Sequence, residues 1–319
     1  MTTGLRLSVA IPIHNEQEVL PELLRRTAVV LDQVQGGPHE IVFVDDGSTD
    51  QSLTILEEAV RTDPRIVVLS FSRNFGHQAA ISAAVDHVRG DAVVIMDGDL
   101  QDTPESIPIF LEKFFQGYDV VFAQRVNRKE PWWLRSCYFL FYRLVHALSD
   151  ISLPLDSGDF GLMSRRVVDR IRSLPEHHRY MRGLRTWVGY RQVGVPVDRM
   201  ERHSGRTKYT PLRLLKLASD GIFAFSTVPL RAATFVGTCG IGSALLYAIY
   251  SLFAKYFLGQ SPRGFTALTI LVTMLSGFIL FFLGIIGEYV GRIYEEVKAR
   301  PNYIVGRVIR SESASNSGG

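Results

Sequence analysis

At 319 residues the chain can bury one sizeable core and carry an added module. Hydrophobic residues make up 46% and charged residues 21%, and the mean hydropathy of +0.11 points to part of the chain lying in lipid. A net charge of +3 is too mild for a nucleic-acid-binding protein, and two distant cysteines, Cys137 and Cys239, define neither a disulfide framework nor a zinc site.

The start, MTTGLRLSVAIPIHNE, lacks the basic-then-apolar pattern of a signal peptide, so the N-terminal region is expected in the cytoplasm. Residues 1–125 then alternate strand-like and helical runs. LRLSVAIPI, HEIVFVDD, RIVVLSFS, DAVVIMDGD and YDVVFAQR read as strands. EVLPELLRRTAVVLDQV, DQSLTILEEAVRTD and HQAAISAAVDHVRG, between them, carry apolar residues at helical spacing. Nearly continuous apolar strands alternating with helices predict a mostly parallel sheet flanked by helices, an α/β fold.

Farther on, PWWLRSCYFLFYRLVHALSD (131–150) and KYTPLRLLKLASDGIFAFS (208–226) mix aromatic or apolar stripes with basic residues and are expected to lie at a membrane interface. Residues 232–257 hold one charge, Lys255, and residues 265–287 hold none. Each exceeds the roughly 20 residues that span a bilayer, so the reading is a transmembrane hairpin within 229–288. Arg292, Lys298, Arg300, Arg307 and Arg310 follow it, against Lys255 and Arg263 in the connecting loop. That asymmetry puts a catalytic domain of 1–228, the tail 289–319 and both termini in the cytoplasm, with the chain multi-pass in the inner or plasma membrane. Gly237, Gly240, Gly242, Gly284 and Gly287 would let helices of separate copies approach as a homo-oligomer.

In an open parallel sheet, ligands bind beyond the carboxyl ends of the strands. Four such ends here are strongly polar: Pro12 to Glu16, Asp45 to Asp50, Ser72 to Gln78 and Asp97 to Asp102. Asp97 and Asp99, one residue apart, point to the same side of an extended chain, and Gly98 between them lets backbone approach a ligand. Such a pair suits Mg²⁺ or Mn²⁺ shared with a substrate diphosphate. Asp102 reads as a helix cap or a support for that pair. Asp46 could grip nucleoside ring nitrogens and ribose hydroxyls, or simply cap the helix that follows. Neither a P-loop nor GxGxxG is present, which disfavours dinucleotide enzymes and simple ATPases. Arg128 and Arg135, beside the first interfacial segment, are placed to hold an acceptor phosphate, although attraction to an anionic leaflet explains the same charges.

VAIPIHNE, VFVDDGSTDQS, SRNFGHQAAISAA and MDGDLQDTPE, in this order, resemble the inverting nucleotide-sugar transferases of family 2. The nearer likeness is to the polyprenyl-phosphate glycosyltransferase branch, which includes dolichol-phosphate mannose synthases and bactoprenol glucosyltransferases. The resemblance implies a GT-A type fold and a metal-dependent hexosyltransferase moving glucose from UDP-glucose to undecaprenyl or another polyprenyl phosphate at the membrane. It implies that Pro12, His14 and Glu16 border the nucleoside pocket, with Val44 and Asp46 on base and ribose. It also implies Asp97, Asp99 and Gln101 at the metal, Arg125 near phosphate, and Arg202 and Lys208 on the diphosphate. His14 departs from the aromatic common at its position. An aspartate near Asp156 or Asp159 serves many members as general base, and the sequence does not choose between these two. The rivals are a processive polysaccharide synthase, whose Gln-x-x-Arg-Trp motif is absent, and a non-catalytic membrane sensor or partner.

Overall fold

The computed structural model describes residues 4–125, 157–176, 179–197, 228–257 and 264–311. These fall into two compact units. One holds the sheet and its helices, including residues 300–311; the other holds the two long helices that precede residue 300.

The sheet unit opens with β1 (Leu7–Ile13), α1 (Leu20–Gln33), β2 (Glu40–Asp45), α2 (Ser52–Thr62), β3 (Ile66–Phe71), α3 (His77–His87) and β4 (Ala92–Ile95). A 3₁₀ turn (Pro104–Ser106), α4 (Ile107–Phe115) and β5 (Val120–Arg125) follow; the five strands and α1 to α3 lie close to the predicted positions, whereas α4 was foreseen only as a helix start at Asp102. Then come β6 (Ser157–Ser164), α5 (Arg165–Arg172), α6 (Met181–Trp187), β7 (Gln192–Val197) and, at the far end of the chain, β8 (Val305–Ile309). The strand order is β7-β5-β6-β4-β1-β2-β3-β8. All but β6 and β8 run the same way.

Strand alternation builds two cores. Leu7, Val9, Ile11, Ile13, Ile41 and Phe43 face α1, α2 and α4, whereas Ala10, Val42, Val44 and Leu69 face α3, α5 and α6. Both faces are covered, which is why the central strands lack a polar side. α1 buries Leu20, Leu23, Thr27, Val30 and Leu31, spaced so that one stripe meets the sheet, and Pro21 suits its first turn.

Because β2 and β4 flank β1 on opposite sides, the chain reverses its direction of travel across the sheet between β1 and β4. Ligands bind at such a switch point, beyond the carboxyl ends of the strands. β6 is antiparallel to both β4 and β5, so its beginning, not its end, comes to this same edge.

No element was predicted for 289–319, yet β8 pairs antiparallel with β3 and covers that edge of the sheet. Tyr303 stacks on Phe71 and donates its hydroxyl to Asp86 Oδ2 at 2.9 Å. Arg179 donates to the same carboxylate at 2.9 and 3.1 Å.

The other unit consists of α7 (Val228–Phe257) and α8 (Phe265–Lys298). These contain the two predicted spans. Among the described residues one helical stretch, Met274–Lys298, is long and apolar enough to cross a membrane; the apolar stretch in α7, Phe235–Tyr247, is shorter. The sequence reading expected two spans where this criterion is met once. α8 ends at Ala299, whose φ of 48° and the following Pro301 stop the helix. The predicted interfacial segments 131–150 and 208–226 lie outside the described residues.

Candidate active site

The opening loop of the site joins β4 to the 3₁₀ turn. A Cβ on Gly98 would meet Ile13 Cδ1 and would lie 2.9 Å from the Pro12 carbonyl oxygen. Only glycine lets this loop close on the end of β1, and it places Asp97 and Asp99 at the switch point. Asp102 is buried and accepts the Asp97 N–H through Oδ2 (3.2 Å), so it braces the pair; the 3₁₀ turn is entered through Thr103. Gln101 donates its backbone N–H to Asp99 Oδ1 (3.1 Å), and Leu100 holds a left-handed φ of 57°. A non-glycine residue with positive φ is a conformation kept where the surroundings enforce it. Asp97 and Asp99 are half-buried.

Pro12 and Val44 are buried at the ends of β1 and β2. His14 is exposed just past β1, with Nδ1 3.0 Å from the Asp46 carbonyl oxygen. A carbonyl only accepts, so Nδ1 carries the proton, and the Asn15 amide at 3.2 Å donates to Nε2. The ring is thereby oriented at the mouth of the crevice. Asn15, with φ 56°, also accepts the Thr49 N–H (2.8 Å), and Glu16 donates its N–H to Ser52 Oγ (2.9 Å). The β1 and β2 loops are thus tied to each other.

Asp46 is 3% exposed and faces the loop after β3. Oδ1 accepts from Phe75 N–H (2.7 Å) and Oδ2 from Gly76 N–H (3.0 Å). Burial raises its pKa, and those two backbone bonds pull it part of the way back. Gly47, with φ 65°, has no room for a Cβ, which would sit 2.7 Å from the backbone of Arg73 and Asn74. The carboxylate expected to grip a nucleoside therefore also pins the Ser72–Gln78 loop.

That loop delivers His77 and Gln78 to a cluster that sequence reading did not assemble. His77 Nε2 lies 3.4 Å from Asp97 Oδ1 and 3.8 Å from Asp159 Oδ2. Gln78 donates Nε2 to Asp159 Oδ2 (3.3 Å) and accepts the Met181 N–H (3.0 Å). Arg182 forks onto Asp159, Nε to Oδ1 at 2.8 Å and Nη2 to Oδ2 at 2.9 Å. Burial opposes the charge on Asp159, but the neighbouring His77 imidazole and the Arg182 guanidinium outweigh it and hold the carboxyl well below its usual range. Burial also works against charge on His77; the nearby carboxylates of Asp159 and Asp97 nevertheless raise its pKa. Deeper still, Arg185 is 3% exposed, with its guanidinium 5.0 Å above the Phe122 ring; burial lowers its pKa to about 10.

Of the predicted site residues, the structure gathers Pro12, His14, Glu16, Val44, Asp46, Asp97, Gly98, Asp99, Gln101 and Asp159 at one sheet edge. Arg125 closes β5 with its backbone opposite Val197 of β7. Asp156, Arg128, Arg135, Arg202 and Lys208 lie outside the described residues. His77 and Gln78 lie in the predicted polar strand end Ser72–Gln78 but had no role assigned, and Arg182 and Arg185 were not anticipated. The one hint was a histidine and an amide directly after a glycine at a helix start.

Asp97, Asp99 and Gln101 offer only oxygen side-chain donors of the kind Mg²⁺ and Mn²⁺ accept. Among the described residues no three His, Cys, Asp or Glu side chains form a metal cage, so a cation here would draw further ligands from water or phosphate.

Glycosyl transferase family 2 matches residues 8–172. An uncharacterised glycosyltransferase of Bacillus subtilis, YkcC, is 43% identical over 306 residues, covering 96% of this chain and 94% of that protein. A prophage bactoprenol glucosyl transferase homolog of Escherichia coli is 38% identical over 305 residues, covering 95% and 99%. The bactoprenol glucosyl transferase of Shigella phage SfII is 39% identical over 302 residues, covering 94% and 97%. Among solved structures, glucosyl-3-phosphoglycerate synthase from Mycobacterium tuberculosis, in complex with Mn²⁺, UDP and glucosyl-3-phosphoglycerate, gives a TM-score of 0.49 at 19% identity, covering 74% of this chain and 81% of that one. The family match over residues 8–172 and these full-length relatives at 38–43% identity lead to one assignment: the chain belongs to glycosyl transferase family 2.

Proposed function

We propose that the chain is a membrane-anchored inverting transferase that moves glucose from UDP-glucose onto a polyprenyl phosphate. One observation carries the reading: the Asp97–Asp99 loop closes on β1 at the switch point, in a chain that aligns over 94–95% of its length with proteins named bactoprenol glucosyl transferase. His14, oriented by Asp46 and Asn15, lies where a nucleoside base would stack. Pro12, Glu16, Val44 and Asp46 shape the pocket below it. Asp97, Asp99 and Gln101 would hold Mg²⁺ or Mn²⁺, which when bound neutralises charge on the donor diphosphate. Arg125, Arg202 and Lys208 add cations for that diphosphate, which stabilise the charge of the departing group. Arg128 and Arg135 would meet the acceptor at the membrane surface.

In the same reading residues 1–228 form the catalytic domain on the cytoplasmic side. The segments 232–257 and 265–287 anchor it as a hairpin, residues 289–319 return to the cytoplasm, and copies associate through the helix glycines. The full-length protein should be incubated with radiolabelled nucleotide sugars, polyprenyl phosphate and Mg²⁺ or Mn²⁺. A labelled lipid formed from UDP-glucose is the expected result, and no lipid product from any donor would overturn the reading.

A further inference from the structure

Asp159 is the described residue closest in character to a general base, but its surroundings argue against that task. Its side chain is 2% exposed. Oδ1 is taken by Arg182 Nε, and Oδ2 by Arg182 Nη2 and the Gln78 amide, with His77 close by. A base must reach the proton it removes, within hydrogen-bond distance of the substrate. Both oxygens of this buried carboxylate already accept from protein donors, and two of the bonds form the bidentate fork that fixes a guanidinium plane.

The fork has a second consequence. With Nε and Nη2 turned to Asp159, the Nη1 edge of Arg182 points away from it. Nη1 has no hydrogen-bond partner among the described residues, the guanidinium lies 6.0 Å from the Tyr180 ring centroid, and the side chain is 35% exposed. Arg185 adds a buried guanidinium whose Nη1 reaches only the Gly158 carbonyl, at 3.4 Å, and whose Nε and Nη2 have no partner. Asp159 thus faces two guanidiniums, with a weaker attraction from Asp97 to Arg182. Buried charge is retained where something compensates it, and an anion would complete this cluster.

We propose that Asp159 is a positioning residue, and that Arg182, held by it, binds a phosphate oxyanion of the acceptor. The inference rests on the polyprenyl-phosphate reading and deepens it. A diphosphate bound through a cation at Asp97 and Asp99 has its charge answered already; the open guanidinium suits the second phosphate in the reaction. The acceptor is then ionised before it reacts. Its oxygen forms the bond to the anomeric carbon as the bond from that carbon to the diphosphate oxygen breaks. The bonding pair leaves with the nucleoside diphosphate and no proton is transferred, so no base is required.

The test measures KM for polyprenyl phosphate and for UDP-glucose separately, with kcat, in the full-length protein. Arg182→Lys keeps the charge and loses the fork, and Asp159→Asn loosens the fork from the other side. UDP affinity, measured on the same preparations, reports that the donor half of the site is intact. Both variants are expected to raise KM for polyprenyl phosphate about 10-fold while KM for UDP-glucose and the UDP affinity stay within about two-fold. Arg182→Gln should raise the acceptor KM further than Arg182→Lys. A loss of kcat in Asp159→Asn with both KM values unchanged would make Asp159 a proton acceptor and overturn the proposal. A rise confined to UDP-glucose would assign Arg182 to the donor diphosphate and overturn it too. A wild-type protein that transfers sugar while Arg182→Lys leaves the acceptor KM unmoved refutes the proposal alone. A wild type that transfers nothing to polyprenyl phosphate from any donor refutes the functional reading as well.

Discussion

At the end of β2 and the start of β6, Asp46 and Asp159 are buried, with their oxygens bonded to protein N–H groups. Past the end of β4, Asp97 and Asp99 stay half-buried on a loop that glycine packing forces against β1. All four carboxylates belong to one sheet edge, yet the first pair braces that edge and, in the proposed function, the second faces a bound cation. The difference lies in burial and in the kind of partner: Asp46 and Asp159 are held by backbone N–H groups and an arginine fork, whereas Asp97 lies 3.4 Å from the His77 imidazole and Asp99 takes the Gln101 N–H on a half-buried loop.

Exchanging residues between these two classes should separate activity from stability. Asp97→Ala or Asp99→Ala should lower kcat/KM by about 10³-fold, roughly 4 kcal/mol of transition-state stabilisation, with an unchanged urea-unfolding midpoint. Parallel loss of stability would show that the half-buried pair is also structural. Chelation of divalent cations should reproduce the loss in wild type, and full transfer activity in chelator would remove the cation from the account.

The next effect follows pH. The Asp159 pKa is lowered from 3.8, so its pairing contributes stability above that value, and the contribution is lost as pH falls through the lower folded value. Circular dichroism during acid titration should show this limb in wild type and a flattened one in Asp159→Asn. If the limbs coincide, the arginine fork does not stabilise the fold.

Asp46→Ala strands the Phe75 and Gly76 N–H groups and should cost about 1–3 kcal/mol in chemical denaturation. A variant as stable as wild type would show that Asp46 does not brace the Ser72–Gln78 loop.

The smallest effect lies outside both classes. Tyr303→Phe removes a bond to Asp86 and should cost about 1 kcal/mol at neutral pH. Burial and the adjacent Asp86 charge raise the Tyr303 pKa, so its contribution is complete below the ordinary value of 10.0 and is lost as pH climbs through the folded value. Thermal melts across that range should fall more steeply for wild type than for Tyr303→Phe.

Much of this arrangement was legible in the residues. Alternating apolar runs placed five strands and three helices within a few residues of their observed bounds, and polar strand ends marked the correct edge. The later strands were not anticipated. SGDFGLMS, QVGVPV and VGRVI are each interrupted by glycine, and their strand character comes from neighbours in the sheet. Asp102 was assigned between cap and brace, and the bond from Asp97 N–H decides for brace.

The sequence by itself determined the layered α/β plan, the two long apolar helices and the loops with chemistry, because side-chain periodicity and turn residues act between near neighbours. Only the tertiary structure decided which charges meet. Gln78, Asp159 and Arg182 are brought together by an antiparallel strand lodged between β4 and β5, and β8 returns from the end of the chain to the β3 edge. Pairing across such separations depends on strand order, which local periodicity does not encode. The same Asp-Gly-Asp spacing would read alike in a solvated turn; its setting against Pro12 at the switch point makes it a candidate site.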